Sequence, residues 1–346
     1  MSDKSLNNIL RKKKQYGIEV LKRALSNKKK VAYHFNCPDG LVSAALFRYL
    51  FADQDLVFIP IDYPLLKDDK ISQVIIDASW FAILDLSPFN SNKIEYFFDH
   101  HISNEGVEIK SKVSIFDSKS PSGATLIAEY FGDKLPDFMV ELSEITKITD
   151  TASYSTPAPM EIKENLSGYD WDERVWFLED VCKSTFTISE HDLVIELLAS
   201  KGLDGLWEKD VLHRVKRLRN SRKESFNIAQ EIVITDFIIL IDDPLHYNTA
   251  AISSELQKRG VKGVAYLTVY PEETKISLRL NRAMSIKDVE KYRVDLLANK
   301  MSGGGHKGAS GAEMENLDET LEIIKTWTKE VQLDMKMVDL RKGDRG

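Results

Sequence analysis

The 346-residue chain carries 47 Lys and Arg against 54 Asp and Glu, a formal net charge of −7, with 43% hydrophobic and 29% charged residues. That is the composition of a folded protein long enough for two cores, and it excludes a protein that coats nucleic acid by bulk positive charge. No apolar run nears the roughly 20 residues of a membrane span, and no apolar signal core follows Met1–Lys4. Cys37 and Cys182 are too few for a disulfide framework and lack the CxxC spacing of a zinc site, so the expectation is a cytoplasmic protein with reduced thiols and no membrane association.

The first 30 residues predict a basic capping helix with Ile9, Tyr16, Ile18, Leu21 and Leu25 on one face. Short β-rich runs follow at Val31–Phe35, Leu56–Ile61, Phe81–Leu84, Tyr96–Phe98 and Val113–Phe116. Helical spacing over Gly40–Phe51 and Ser122–Phe131 makes this βα alternation, the pattern of a parallel sheet. Beyond Asp150 the chain reads as helical, over Asp172–Leu178 and from Ser189 to about Gln230. Arg214, Lys216, Arg217, Arg219, Arg222 and Lys223 crowd the end of that stretch and read better as the solvated surface of a linker helix than as a nucleic-acid grip. Strand patterns return at Ile232, with runs at Phe237–Ile241, Gly263–Tyr270 and Lys275–Leu280 and a closing helix at about Leu317–Gln332. The prediction is an α/β protein: a parallel-sheet domain over 1–195, a helical linker over 196–230, a smaller α/β domain with a mixed sheet over 231–335, and a polar tail over 336–346.

In an open α/β sheet the ligand crevice lies outside the carboxyl ends of the strands, and the chain's acids and histidines fall there. His34 and Asp39 follow the first run, Asp85 ends the third and Asp99-His100-His101 ends the fourth. Carboxylates crowded this way repel one another unless cations sit among them, so a divalent metal is the economical explanation. Mixed carboxylate and imidazole donors suit Mn²⁺ or Mg²⁺, with Co²⁺ or Zn²⁺ as alternatives, and we choose Mn²⁺.

At these residues the chain resembles the DHH phosphoesterase superfamily, which includes RecJ-type exonucleases, nanoRNases, cyclic-dinucleotide phosphodiesterases and a class of inorganic pyrophosphatases. His34 with Asp39, Asp85 in Ile83-Leu84-Asp85-Leu86, the triplet Asp99-His100-His101, and Asp150 in Thr149-Asp150-Thr151 resemble four motifs of that family. Asp77 is a rival for the second motif, at a longer spacing from Asp99. The resemblance implies two metal ions held by His34, Asp39, Asp85, His100 and Asp150, with Asp85 bridging, Asp99 orienting a histidine and His101 facing the substrate phosphate. One departure is Cys37, standing where the family has a further acid two residues before Asp39.

Far along the chain, Gly303-Gly304-Gly305-His306 follows a strand carrying Arg279. Glycines let backbone N–H groups approach an anion, and His306 and Arg279 add charged donors. The pairing resembles the DHH-associated C-terminal domain, which implies that Arg279, Gly303, Gly304, Gly305 and His306 bind the substrate's phosphate. The implied activity is hydrolysis of dinucleotides and short oligonucleotides to nucleoside 5′-monophosphates by metal-activated water, with no stable complex on long nucleic acid. The alternatives are a 3′-phosphoadenosine 5′-phosphate phosphatase, a cyclic-dinucleotide phosphodiesterase, and a non-catalytic nucleotide-binding scaffold; a homodimer is a guess. Tyr247 and Tyr270 are candidates for base stacking that sequence does not distinguish from core residues.

Overall fold

A computed structural model describes residues 15–89, 93–163, 166–244 and 246–343, and the chain divides into two compact units, one ending at Arg219 and the other beginning at Asn220. Among the described residues no helix is long and apolar enough to cross a membrane.

The first unit is built on five parallel strands: β1 (Lys29–His34), β2 (Leu56–Ile61), β3 (Trp80–Leu84), β4 (Ile94–Asp99) and β5 (Ser111–Phe116), in the order β2-β1-β3-β4-β5. The strands β1 to β4 read as largely apolar runs because both faces are covered, whereas the edge strand β5 alternates and buries no residue fully. On one side Val31, Tyr33 and Leu84 pack in a cluster with Leu46 and Phe47 of helix α2 (Pro38–Leu50). On the other, Ala32, Ile59 and Ile83 pack with Val20 and Ala24 of helix α1 (15–24) and with Ile75 of helix α3 (Asp69–Asp77). The order reverses between β1 and β3, which creates a crevice at the carboxyl ends of those strands.

Helices α4 (Gly123–Phe131), α5 (Asp137–Asp150), α6 (Trp171–Lys183) and α7 (Ile188–Lys201) complete this unit. Ser122 caps α4 by accepting from the Thr125 amide, and Asp170 and Thr187 form capping boxes with Glu173 and Glu190 at the starts of α6 and α7. Each cap satisfies amides the helix leaves open, worth about 1 kcal/mol.

Helix α8 (Lys209–Glu231) leads into the second unit. Its six-stranded sheet runs β11-β6-β7-β8-β10-β9, from β6 (Phe237–Asp242), β7 (Gly263–Val269), β8 (Thr274–Leu280), β9 (Gly304–His306), β10 (Ala309–Met314) and β11 (Met335–Asp339). β11, β6 and β7 are parallel and β8, β10 and β9 antiparallel, so the sheet is mixed, as the sequence predicts. Helices α9 (Thr249–Lys258), α10 (Ile286–Lys291), α11 (Val294–Asn299) and α12 (Leu317–Glu330) belong to it.

The structure corrects four sequence expectations. Residues 336–346 are not simply a tail: Met335–Asp339 pairs with β6 as an edge strand, and Val338 and Leu340 are buried, a short apolar signal that Lys336 and Asp339 mask. The linker does not start at 196, because α7 runs to Lys201 with Leu198 fully buried. Within the basic stretch Arg219 is interior rather than solvated, its Nε 2.7 Å from Oδ2 of the buried Asp180. Ile18 and, just past α1, Leu25 are exposed while Gly17, Val20 and Ala24 face inward, Val20 and Ala24 packing in the cluster with Ala32 and Ile59; Ile9 lies outside the described residues.

Candidate metal centre

Asp39, Asp85, His34, His100, His101 and Asp150 converge at the carboxyl edge of the first sheet, drawn from four places in the chain. Gly40 makes the first turn possible: a Cβ there would lie 2.3 Å from the His34 carbonyl oxygen, so only glycine lets α2 begin against the end of β1. Asp39, in the first turn of α2, is fully buried, and its two oxygens accept from the Gly123 and Ala124 amides at 2.6 and 2.7 Å. The open amino end of α4 therefore fixes this carboxylate. Asp85 leaves β3 with φ +53, a left-handed conformation that costs a non-glycine residue on the order of 1 kcal/mol.

The donor atoms form two groups of three within ligand reach: His34, Asp85 and His101 in one, Asp39, His100 and Asp150 in the other. His34 Nδ1 lies 3.5 Å from Asp85 Oδ2, and His100 Nε2 lies 3.5, 3.6 and 3.3 Å from oxygens of Asp85, Asp39 and Asp150. Both Asp85 oxygens, His34 Nδ1 and His100 Nε2 are buried and lack a hydrogen bond. Four orphaned polar atoms facing one another are costly unless a cation joins them, so these residues fit divalent ions held by oxygen and nitrogen donors.

The remaining contacts hold the rings in place. His101 Nδ1 lies 2.7 Å from Asp99 Oδ1, whose other oxygen accepts from Asn104 Nδ2 at 2.6 Å, and His100 Nδ1 lies 3.2 Å from the Ser120 carbonyl oxygen. Such partners fix which ring nitrogen is left for a ligand.

The electrostatics point the same way. Burial, with Asp85 and Asp150 alongside, pushes Asp39 well above the ordinary carboxylate range. Burial acts on Asp85 in the same direction, but its contacts with His100 and His34 outweigh it and hold Asp85 down at about 2. Burial disfavours a charge on His100, yet Asp85, Asp39 and Asp150 raise it to about 9. The proton held on His100 does here what a metal ion would do better.

Cys37 Sγ sits 3.9 Å from Asp150 Oδ1, and burial, together with Asp85 and Asp39, pushes the thiol well above its ordinary value. It therefore stands beside the second group as a neutral thiol. Asp77 is exposed at the end of α3, bonded by Gln73, and takes no part. Sequence reasoning missed Asn104, the paired amides of α4, and Tyr63, whose ring meets His34 edge-on at 5.3 Å. Of these only the Ser122 cap signal was legible.

In the second unit, Arg279, Ala309 and His306 stand in register across β8, β10 and β9, which puts the arginine and histidine on one face about 10 Å apart. The glycines are not equivalent. A Cβ on Gly303 would lie 2.1 Å from the Gly311 carbonyl oxygen, and Gly305 has φ +139 with Ser310 pressed against it, whereas Gly304 faces open space. The first and third are demanded by strand packing, and Gly304 is the one open to a ligand. The buried tyrosines of this unit are Tyr266 and Tyr292, whereas Tyr247 and Tyr270 are half-buried.

Neither a protein-family model nor a curated protein sequence matches the chain. Solved structures do. A pGpG-specific phosphodiesterase, PggH from Vibrio cholerae, aligns with TM-score 0.61 at 17% identity over 88% of this chain and 99% of its own. RecJ from Thermus thermophilus, in complex with Mn²⁺, aligns with TM-score 0.57 at 15% identity over 94% of this chain and 56% of its own. A DHH domain from a protein described as a member of a family of ribosomal proteins aligns with TM-score 0.56 at 12% identity, covering 96% and 92%. With its parallel five-stranded and mixed six-stranded sheets, the chain has the fold of the DHH phosphoesterase superfamily.

Proposed function

We propose that this protein is a divalent-metal-dependent phosphodiesterase that hydrolyses dinucleotides and short oligonucleotides to nucleoside 5′-monophosphates. The observation that carries the reading is Asp85, fully buried with neither oxygen hydrogen-bonded and with nitrogens of His34, His100 and His101 at 3.5–3.6 Å. A scaffold has no need of such a carboxylate, whereas a bridging metal ligand requires one.

His34, Asp39, Asp85, His100 and Asp150 would hold the metal, with Mn²⁺ as our choice, two ions as the expected number, and Mg²⁺ or Co²⁺ as alternatives. When bound, such ions supply an activated water nucleophile and neutralise charge on the phosphoryl oxygens. The chain's own residues have separate tasks. Asp39 is preoriented by the α4 amides, so no reorganisation is needed on loading. Asp99 holds His101 by Nδ1, leaving Nε2 to donate to a phosphate oxygen. Arg279, His306 and Gly303 to Gly305 would bind a phosphate of the substrate.

A short substrate is supported by likeness in fold to the pGpG-specific phosphodiesterase over 99% of its length. The test is incubation with Mn²⁺ and a panel of di- to decanucleotides, 3′-phosphoadenosine 5′-phosphate and cyclic dinucleotides, with products resolved by chromatography. Nucleoside 5′-monophosphates released fastest from the shortest substrates are expected. Metal binding without turnover of any of them would sink the enzyme reading and leave the scaffold.

A further inference from the structure

At the opposite edge of the same sheet, the strands begin from a ring of lysines. Parallel strands bring all their amino ends together, so residues before and at the starts of β1, β3, β4 and β5 meet although they are far apart in sequence. They line a cavity of about 650 Å³ whose charged residues are Lys28, Lys29, Lys30, Lys93, Lys110 and Lys112, against one acid, Glu95. The strands are five or six residues long, which sets this edge roughly 17–20 Å from the metal centre.

Six lysines lining one cavity are unexpected in a chain of net charge −7. Some are engaged locally. Lys28 pairs with Asp55 at 2.9 Å, Lys112 pairs with Glu95 at 3.1 Å, and Lys29 bonds Gln54 at 2.7 Å while lying 4.7 Å from the centre of the Phe81 ring. Lys30 and Lys110 make no ion pair among the described residues. The charges of Lys30 and Lys110 are therefore not cancelled by an ion pair among the described residues, and a low-dielectric floor of Trp80, Phe81 and Ile94 strengthens their field.

We propose that this cavity is a second anion site, separate from the metal centre, that takes a compact polyphosphate through its phosphate groups. Its size is within the range of small-ligand sites, and lysines serve as point charges for phosphate. The lining also says what the site does not read. Trp80 is 1% exposed and Phe81 5%, so neither offers a face on which a nucleobase could stack. Recognition rests on the phosphates, and the same chemistry is carried by inorganic tripolyphosphate and by the triphosphate of a nucleotide. The inference does not depend on the phosphodiesterase reading, since it uses none of that site's residues.

Calorimetric titration of the full chain with inorganic tripolyphosphate in EDTA tests it, because EDTA removes the divalent ions through which the candidate metal centre would hold a phosphate. Saturable binding with one site at this cavity is expected, weakening with added salt, and the cavity's component should fall by about tenfold or more in Lys30→Gln/Lys110→Gln. Arg279→Ala should keep the component that the lysine double variant loses, which separates this cavity from the phosphate-binding face proposed on β8. Adenosine triphosphate should match tripolyphosphate, and hydrogen exchange should slow at residues 28–30 and 110–112 on binding, a readout that needs no variant. Absence of saturable binding, unchanged binding in the double variant, or loss of it in Arg279→Ala would overturn the proposal. So would a nucleotide or a single-stranded oligonucleotide binding far more tightly than tripolyphosphate, since either would mean recognition of something beyond clustered phosphate.

Discussion

Asp99 Oδ1 lies 2.7 Å from His101 Nδ1, and the carboxylate that makes this contact is itself completely buried and anchored by Asn104. The pair fixes the ring and raises the pKa of His101, chiefly through that hydrogen bond. Asp99→Asn keeps the shape but replaces a charged acceptor by an amide. Hydrolysis should fall by roughly 10–100-fold with the fold intact. Steady-state kinetics beside a circular dichroism melt will check this, and full activity in the variant would remove Asp99 from its orienting role.

Asp85 has no hydrogen-bond partner without metal, so metal should be what it stabilises. Mn²⁺ at about 100 times its dissociation constant should add about 2.7 kcal/mol to the unfolding free energy, several degrees in Tm. In Asp85→Asn that increment should vanish. Thermal melts with and without Mn²⁺ measure it, and an unchanged increment in the variant would mean that the ion binds elsewhere.

His100 and Arg279 are assigned different tasks and should fail differently. His100→Ala should abolish turnover, while Arg279→Ala should raise KM with kcat less affected. Equal loss of kcat with unchanged KM in both would contradict the division.

Metal binding should depend on pH through His100, which its three carboxylate neighbours hold at about 9. Below that pH the ring carries a proton that a metal must displace. Affinity at this group should therefore fall as pH falls, with release of about one proton per ion bound from this ring. Calorimetry in two buffers of different ionisation enthalpy counts the protons. No release at pH 7 would show that His100 is not a ligand.

Stability should carry a separate acid signature from His191, buried on α7 with Nδ1 2.9 Å from the Tyr33 hydroxyl. Burial, aided by Arg214 and opposed by Asp192 and Glu190, holds it down at about 4 against an ordinary 6.5. Between those values the unfolded chain takes up a proton that the native state refuses. The contribution is fully present above pH 6.5 and is lost as pH falls towards 4, by about 3 kcal/mol. Urea midpoints from pH 7 to 4.5 should drop in the parent and drop less in His191→Gln.

The sequence by itself determined the strands of the first sheet and most of the residues of the candidate metal centre. Apolar runs such as Leu56–Ile61 can only be buried on both faces, and each of His34, Asp85 and Asp99 ends or follows such a run, so a parallel sheet must deliver them to one edge. Asp150 was legible only by resemblance, because it lies at the end of a helix whose position depends on packing. Other features had no local signal. The amides that clasp Asp39 come from 84 and 85 residues away, the inward face of α1 was chosen by the packing of Val20 and Ala24 with Ala32 and Ile59, and Met335–Asp339 became a strand only because β6 offered an open edge. The lysines at the starts of β1, β4 and β5 carry no joint signal in the sequence until parallel pairing gathers them. Periodicity reports which side of an element is buried, whereas the partner it meets is set by tertiary contacts between residues distant in the chain.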